Sequence, residues 1–185
     1  MNKIKTFIKD TVKRFNGELP LKTLIKRGLT VGKDFSKQSG CFIDPSFCHL
    51  ITIGDNVTFS KNVMLLAHDA STAKLIDYTK IGRIDIGNNT FVGANVTVLP
   101  GVKIGNNVII GAGSVVTKDI PDNMVAAGNP AKILLTTGEY KEKNEALFKS
   151  VKAFSYDYTT GGGASKEKLA ELSEYLKNEK IGFIK

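Results

Sequence analysis

The sequence predicts an all-β core, a parallel β-helix of short strands, with α-helical segments at both ends. A six-residue hydrophobic period between residues 53 and 134 and recurring Gly and Asn within it predict the core. Apolar residues at helical spacing near both ends predict the helices. A chain of 185 residues suits one such domain with small appendages.

The repeat is clearest from Ile86, where each consecutive hexad opens with Ile or Val. A six-residue period fits neither an amphipathic helix nor a long alternating strand, and it suits short strands joined by turns. We expect the openers to form inward-facing ladders, with Gly and Asn supplying left-handed backbone at the corners. The openers are Ile53, Phe59, Leu65, Ile86, Val92, Val98, Ile104, Ile110 and Val116.

Both ends of the chain predict helices. Residues 1–40 hold a basic amphipathic helix and the lead-in to the repeats, and this helix suits either packing against the β-helix or contact with an anionic membrane. Residues 136–185 form a C-terminal helical extension. Within it we expect a helix over residues 140–156, a flexible link at residues 161–163 and a last helix capped by Ser165.

The composition narrows the partners and the cellular compartment. The 26 Lys and Arg against 18 Asp and Glu give a net charge of +8, which favours anionic partners such as a phosphorylated cofactor, an acidic glycan or a lipid surface. Because the basic residues are spread along the chain, we expect no nucleic acid partner. Cys41 and Cys48 match no disulfide framework or metal motif, and both are expected to be buried. Without an apolar run typical of a secretory signal or a membrane span, we expect a cytoplasmic protein, with the inner face of the membrane as the alternative.

Three stretches carry a resemblance to a known family. Residues 111–123, Gly-Ala-Gly-Ser-Val-Val-Thr-Lys-Asp-Ile-Pro-Asp-Asn, and residues 127–132, Ala-Gly-Asn-Pro-Ala-Lys, are similar to the C-terminal signature of one branch of the hexapeptide-repeat acyltransferases. That branch holds maltose, galactoside and polysaccharide O-acetyltransferases. Residues 43–47, Ile-Asp-Pro-Ser-Phe, resemble its entry into the first coil. The resemblance implies a left-handed parallel β-helix over residues 41–135, with three hexads per coil.

The array breaks after His68, and residues 69–83 are expected to leave the coil as an extruded loop. The resemblance implies that a histidine opening this loop is catalytic. An imidazole titrates near neutral pH and can remove the proton of an acceptor hydroxyl, so His68 is the predicted general base. Asp69 suits orienting the His68 ring or assisting the acceptor, and it suits capping the loop equally well. His49 has no matching motif and is predicted to be structural.

The resemblance also implies acetyl-CoA as the acyl donor, bound in the groove between adjacent subunits of a homotrimer. Small side chains would let the pantetheine arm approach, and Lys118 could neutralise phosphate. Lys132 stands where relatives often have arginine, which argues against a two-pronged phosphate contact. The matching positions are Ala94, Ala112, Thr117, Lys118, Asn129, Pro130 and Lys132.

The sequence therefore predicts an acetyl-CoA-dependent O-acetyltransferase acting on a hydroxyl of a sugar or of a surface-polysaccharide precursor. An antibiotic or amino-sugar acetyltransferase of the same fold, or a non-catalytic β-helix scaffold, are the alternatives. A metal-dependent carbonic anhydrase of this fold would need three histidine ligands. The chain has two histidines, so no metal is expected.

Overall fold

The structure is a computed structural model that describes residues 18–185. The predicted N-terminal amphipathic helix falls largely on residues 1–17, outside the described residues. The chain divides into two compact units, one that ends at Thr137 and one that runs from Gly138 to Lys185. Within residues 18–185, no helix has both the length and the apolar character to cross a membrane.

The first unit is a parallel β-helix in which three short strands make one coil. It begins with a short helix, α1 (Leu21–Lys26), whose Leu24 joins the buried core. The first two coils contain β1 (Thr30–Val31), β2 (Ser36–Lys37), β3 (Phe42–Ile43), β4 (Ile51–Ile53), β5 (Thr58–Phe59) and β6 (Met64–Leu65). A hairpin of β7 (His68–Asp69) and β8 (Lys80–Ile81) follows, with the short helix α2 (Ala73–Ile76) between its strands. The next two coils contain β9 (Ile84–Ile86), β10 (Phe91–Val92), β11 (Thr97–Val98), β12 (Lys103–Ile104), β13 (Ile109–Ile110) and β14 (Val115–Val116). Strands β15 (Met124–Ala127) and β16 (Lys132–Thr136) end the unit as an antiparallel pair.

The strands stack across coils into three parallel faces. Face A contains β1, β4, β9 and β12; face B contains β2, β5, β10, β13 and β15, with β16 at its end; face C contains β3, β6, β11 and β14. All nine predicted openers are buried. The predicted inward-facing ladders are therefore confirmed, and Cys41 and Cys48 are buried with them.

The expected role of the repeated glycines was wrong in part. Left-handed backbone occurs at the fourth position of the hexads, at Asn89, Asn95 and Asn107 for example, and not at the second-position glycines. Those glycines are needed for close packing instead. A Cβ on Gly93 would lie 2.6 Å from the backbone nitrogen of Ala112 in the next coil. The coils therefore approach too closely at this corner for any side chain.

We expect Gly93→Ala to lower the free energy of unfolding by about 1–3 kcal/mol, because backbone atoms of the next coil must shift. The matched control is Gly101→Asn. Gly101 has φ +87° and open space around its Cβ position, and Asn tolerates left-handed backbone. Urea denaturation of both variants checks the prediction. Equal stability of Gly93→Ala and the wild type would contradict the close approach.

Extra residues interrupt the coils at one corner. Hydrogen-bonded partners on successive coils are 22, 33, 18 and 16 residues apart. The first two spacings exceed the 18 residues of a regular coil. In both cases the extra residues follow a face C strand, as residues 44–50 after β3 and as the hairpin after β6. We call the turns between faces C and A the C–A corner, comprising residues 44–50, 66–83, 99–102 and 117–119.

The second unit is a small α/β arrangement. Helix α3 (Thr137–Ser150) leads to β17 (Ala153–Phe154), and helix α4 (Lys166–Asn178) leads to β18 (Phe183–Ile184), which pairs with β17 in parallel. Ser165 caps α4 through a hydrogen bond from the Lys168 amide. The helix predicted at residues 140–156 begins earlier, at Thr137. It also ends earlier than predicted, because residues 153–154 form a strand. The predicted flexible link at residues 161–163 is a hydrogen-bonded turn, in which the Gly162 amide donates to the Thr159 carbonyl over 3.1 Å.

Candidate functional site

The C–A corner stacks chain segments from four coils along one edge of the β-helix. The amide of Asp44 donates to the Leu65 carbonyl over 3.0 Å, and the Leu66 amide donates to the Val98 carbonyl over 3.0 Å. One coil further, the Leu99 amide donates to Val116 over 3.0 Å. Successive coils lie about 4.8 Å apart. Asp44 and His68 lie on adjacent coils at this edge, and Lys118 lies two coils beyond His68.

The His68 side chain is held by a buried carboxylate. Its Nδ1 contacts Oδ2 of Asp44, whose side chain is fully buried while the imidazole is 34% exposed. Asp44 also accepts hydrogen bonds from the backbone amides of Ser46 (3.1 Å), Phe47 (3.3 Å) and Ala67 (3.2 Å). Because the three backbone amides can only donate, the buried Asp44 side chain acts as a hydrogen-bond acceptor with both of its oxygens.

This pairing assigns the tautomer of His68. Because the Asp44 oxygen beside the ring also accepts from the Ala67 amide, Nδ1 is the donor to it, and a neutral ring then carries its lone pair on Nε2. The Phe47 ring packs against the imidazole, with 5.2 Å between ring centroids. The arrangement orients the imidazole so that Nε2 can take a proton from a bound group.

The structure shows that Asp69 caps the loop. Its carboxylate accepts a hydrogen bond from the Ser71 amide over 3.0 Å, and the Lys80 ammonium lies 3.5 Å from its Oδ2. Hydrogen bonds from Ser71, and less strongly the contact with Lys80, hold the pKa of the Asp69 carboxyl below its ordinary value. Asp44, and not Asp69, orients His68.

His49 is exposed on the surface beside Phe47, with 6.3 Å between ring centroids. It makes no contact with the Asp44 carboxylate, whose partners are all accounted for above. The prediction that His49 is structural therefore stays a prediction, with a surface position now assigned to it.

A cleft of about 370 Å³ opens beside His68. The hairpin contributes Asp69, Ala70 and Lys80 to its lining, and the two neighbouring coils contribute an apolar side. The apolar residues are Leu66, Leu99 and Pro100. The cleft therefore combines an imidazole, one carboxylate, one ammonium group and an apolar wall.

The predicted cofactor residues lie around the end of face C that β14 forms. Thr117 and Lys118 follow β14 at the C–A corner, and both are exposed. The turn at residues 128–131 lies directly over β14, because the Val115 amide donates to Gly128 over 3.0 Å and the Ala131 amide donates to Val115 over 2.8 Å. Asn129, Pro130 and Lys132 are exposed in or just after this turn.

Ala94 and Ala112 stack on the opposite side of face C, at the corner between faces B and C. The Gly113 amide donates to the Ala94 carbonyl over 2.7 Å, so the two turns lie one coil apart. Ala112 is exposed and Ala94 is half-buried. The seven predicted residues thus surround face C from three sides, with His68 two coils below Lys118 on one of them.

Sequence reasoning missed Asp44, although the quoted stretch Ile-Asp-Pro-Ser-Phe contains it. The signal in the sequence was an acidic residue directly after an inward-facing strand residue, one coil before His68.

The positions of the possible metal-ligand side chains also bear on metal binding. Among residues 18–185, no group of three or more His, Cys, Asp or Glu side chains is placed to hold a metal ion.

Comparison with known proteins indicates the family of this chain. Residues 83–118 match the family model described as "Bacterial transferase hexapeptide (six repeats)". A curated relative, "Putative acetyltransferase YvoF" of Bacillus subtilis (strain 168), is 35% identical over 143 residues, covering 76% of this chain and 81% of the relative.

Two solved structures are similar in both sequence and fold. A maltose O-acetyltransferase from Clostridium difficile 630 is 42% identical with a TM-score of 0.52, and the match covers 57% of each chain. A galactoside acetyltransferase in complex with coenzyme A is 30% identical with a TM-score of 0.51, covering 64% of this chain and 70% of that one. The match to the first structure therefore spans little more than half its length. These similarities imply that the predicted β-helix is left-handed.

Proposed function

This chain belongs to the hexapeptide-repeat family of bacterial transferases, and from that premise we propose that it transfers an acetyl group from acetyl-CoA to a hydroxyl of a sugar or of a surface-polysaccharide precursor. The maltose and galactoside acetyltransferases among its relatives support a sugar acceptor. The observation that carries the proposal is the Asp44–His68 pair beside an open cleft.

In this proposal His68 acts directly on the acceptor. Acetyl-CoA supplies a thioester, whose carbonyl carbon accepts the acceptor oxygen and whose thiol leaves. Nε2 of His68 removes the hydroxyl proton as the oxygen attacks, and it returns that proton to the leaving sulfur. Buried Asp44 stabilises the imidazolium formed between the two transfers, which general acid–base catalysis of this kind requires. No acyl-enzyme forms.

The residues around face C fit acetyl-CoA in their chemistry. The small side chains of Ala94 and Ala112 leave backbone groups accessible to a pantetheine arm. Lys118 and Lys132 are exposed cations that can neutralise phosphate groups at the nucleotide end, while Asn129 and Thr117 can hydrogen-bond. We propose that a homotrimer completes this groove with a neighbouring subunit. Light scattering that gives the mass of a single chain would contradict this trimer.

We expect Lys118→Ala to raise KM for acetyl-CoA about tenfold with little change in kcat, because a lost phosphate contact weakens binding without touching the reacting atoms. Lys33→Ala is the matched control, since Lys33 is an equally exposed lysine at a different corner, between faces A and B. Steady-state kinetics with varied acetyl-CoA provide the measurement. An equal effect of both substitutions would indicate a general loss of positive charge and would contradict the assigned contact.

Thiol release tests the proposed function itself. Purified protein is incubated with acetyl-CoA and a panel of methyl glycosides, and free coenzyme A is measured. We expect acceptor-dependent release with at least one glycoside, and an acetyl ester in the product by mass spectrometry. Acetyl-CoA should also raise the Tm in a concentration-dependent manner. Release that requires an amine acceptor would overturn O-transfer, and a Tm indifferent to acetyl-CoA would favour a scaffold.

A further inference from the structure

Asp69 and Lys80 form an exposed ion pair at the entrance of the His68 cleft. They lie directly opposite each other in the antiparallel hairpin, in the rung next to His68 and Ile81. The Lys80 ammonium is 3.5 Å from the Asp69 carboxylate, and their side chains are 60% and 36% exposed. Both residues line the cleft together with His68.

The hairpin does not depend on this pair for its shape. The Asp69 carboxylate caps the following turn through the Ser71 amide, and the Thr72 hydroxyl donates to the Tyr78 carbonyl over 2.7 Å. The return of the chain to the β-helix is fixed by the Gly82 amide, which donates to Ala67 over 3.0 Å. Exposed ion pairs contribute little stability. If the ion pair were purely structural, substitutions that remove it and keep the Asp69 cap would therefore be nearly neutral.

The cleft offers a specific set of interactions to an acceptor. A carboxylate accepts hydrogen bonds and an ammonium group donates them, and here the two are adjacent at 3.5 Å. Two neighbouring hydroxyls of a sugar match this pair, since one donates to the carboxylate while the other accepts from the ammonium group. Leu66, Leu99 and Pro100 supply an apolar wall suited to the C–H face of a sugar ring.

We propose that Asp69 and Lys80 bind the acceptor through two adjacent hydroxyls, and so select uncharged sugars that carry a vicinal diol. The inference rests on the proposed function and adds to it the class of acceptor and the residues that select it. Opposite charges on the pair cancel, so the cleft gives no net attraction to an anionic sugar. A carboxylate or phosphate placed against Lys80 would also meet the Asp69 carboxylate.

The test uses Asp69→Asn and Lys80→Met in the full chain. Asn keeps an oxygen for the Ser71 amide, and Met keeps most of the length of Lys80, so the hairpin should stay intact. Asp85→Asn is the matched control, because the Arg83–Asp85 pair has similar exposure and a 3.4 Å separation but lies outside the cleft. Kinetics are measured with acetyl-CoA and methyl β-galactopyranoside or methyl α-glucopyranoside, whichever is turned over, and with their monodeoxy analogues.

We expect both cleft variants to raise KM for the glycoside about tenfold or more, with KM for acetyl-CoA, Tm and the control unchanged. A deoxy analogue that lacks one hydroxyl of the diol should show a similar loss with the wild type and little further loss with the variants. Wild-type KM values in both variants would overturn the inference and leave the proposed function standing. No thiol release with any glycoside would overturn the proposed function and the inference together.

Discussion

Replacing His68 with alanine is expected to lower kcat for acetyl transfer at least about a hundredfold, because general base catalysis typically contributes about 10² to 10⁴ in rate. The His68 imidazole lines the cleft, and its partner Asp44 is too deeply buried to reach a substrate. Steady-state rates of thiol release with a glycoside acceptor measure the effect. Acetyl-CoA binding, followed by the shift in Tm, should remain.

His49→Ala is the matched control for this experiment. His49 is exposed beside the Phe47 ring and should be dispensable for turnover. A His68→Ala variant with near-normal kcat would refute the general base assignment. Equal losses in the two variants would point to disruption of the Phe47 region and would also count against it.

The second large effect is expected for Asp44→Asn, which should lower kcat by about 10² to 10⁴. All groups that contact Asp44 are donors, from the amides of Ser46, Phe47 and Ala67 to Nδ1 of His68. An asparagine offers only one accepting atom, so its NH₂ group must face either the Ser46 and Phe47 amides, in place of Oδ1, or the Ala67 amide and the His68 ring, in place of Oδ2. Facing the ring, it would place the imidazole proton on Nε2 and abolish the base.

The tautomer of His68 separates this effect from simple destabilisation. Nitrogen NMR of the imidazole should show protonation at Nδ1 in the wild type and at Nε2 in Asp44→Asn. Asp55→Asn is the control, since Asp55 also accepts a backbone hydrogen bond, from Lys33 over 2.6 Å, but at another corner. If Asp44→Asn keeps wild-type kcat, Asp44 does not position the base.

The β-helix could be predicted because its repeat appears directly in the sequence. Each hexad opener occupies the same position relative to the coil axis, so one period determines which side chains point inward. The period also places the polar side chain of Ser114, the fifth residue of its hexad, in the interior. Its buried hydroxyl donates to the Gly111 carbonyl over 2.6 Å and accepts from the Gly128 amide over 3.0 Å. Local periodicity was therefore sufficient for the core.

The candidate site could be predicted only in part. His68 and the face C residues were found through family resemblance, but the Asp44–His68 contact joins residues 24 apart. That separation exceeds the 18 residues of a regular coil, because residues 44–50 lengthen the first coil. The sequence shows that the repeat is interrupted, and it does not show which residues the interruptions bring together.

A structure of the protein with coenzyme A bound tests the central claim most directly. We expect the nucleotide end to lie near Lys118 and Lys132, the pantetheine arm to follow face C, and the sulfur to lie about 3–4 Å from Nε2 of His68. Coenzyme A bound at another corner, or a sulfur separated from His68 by protein, would contradict the role of His68 as general base.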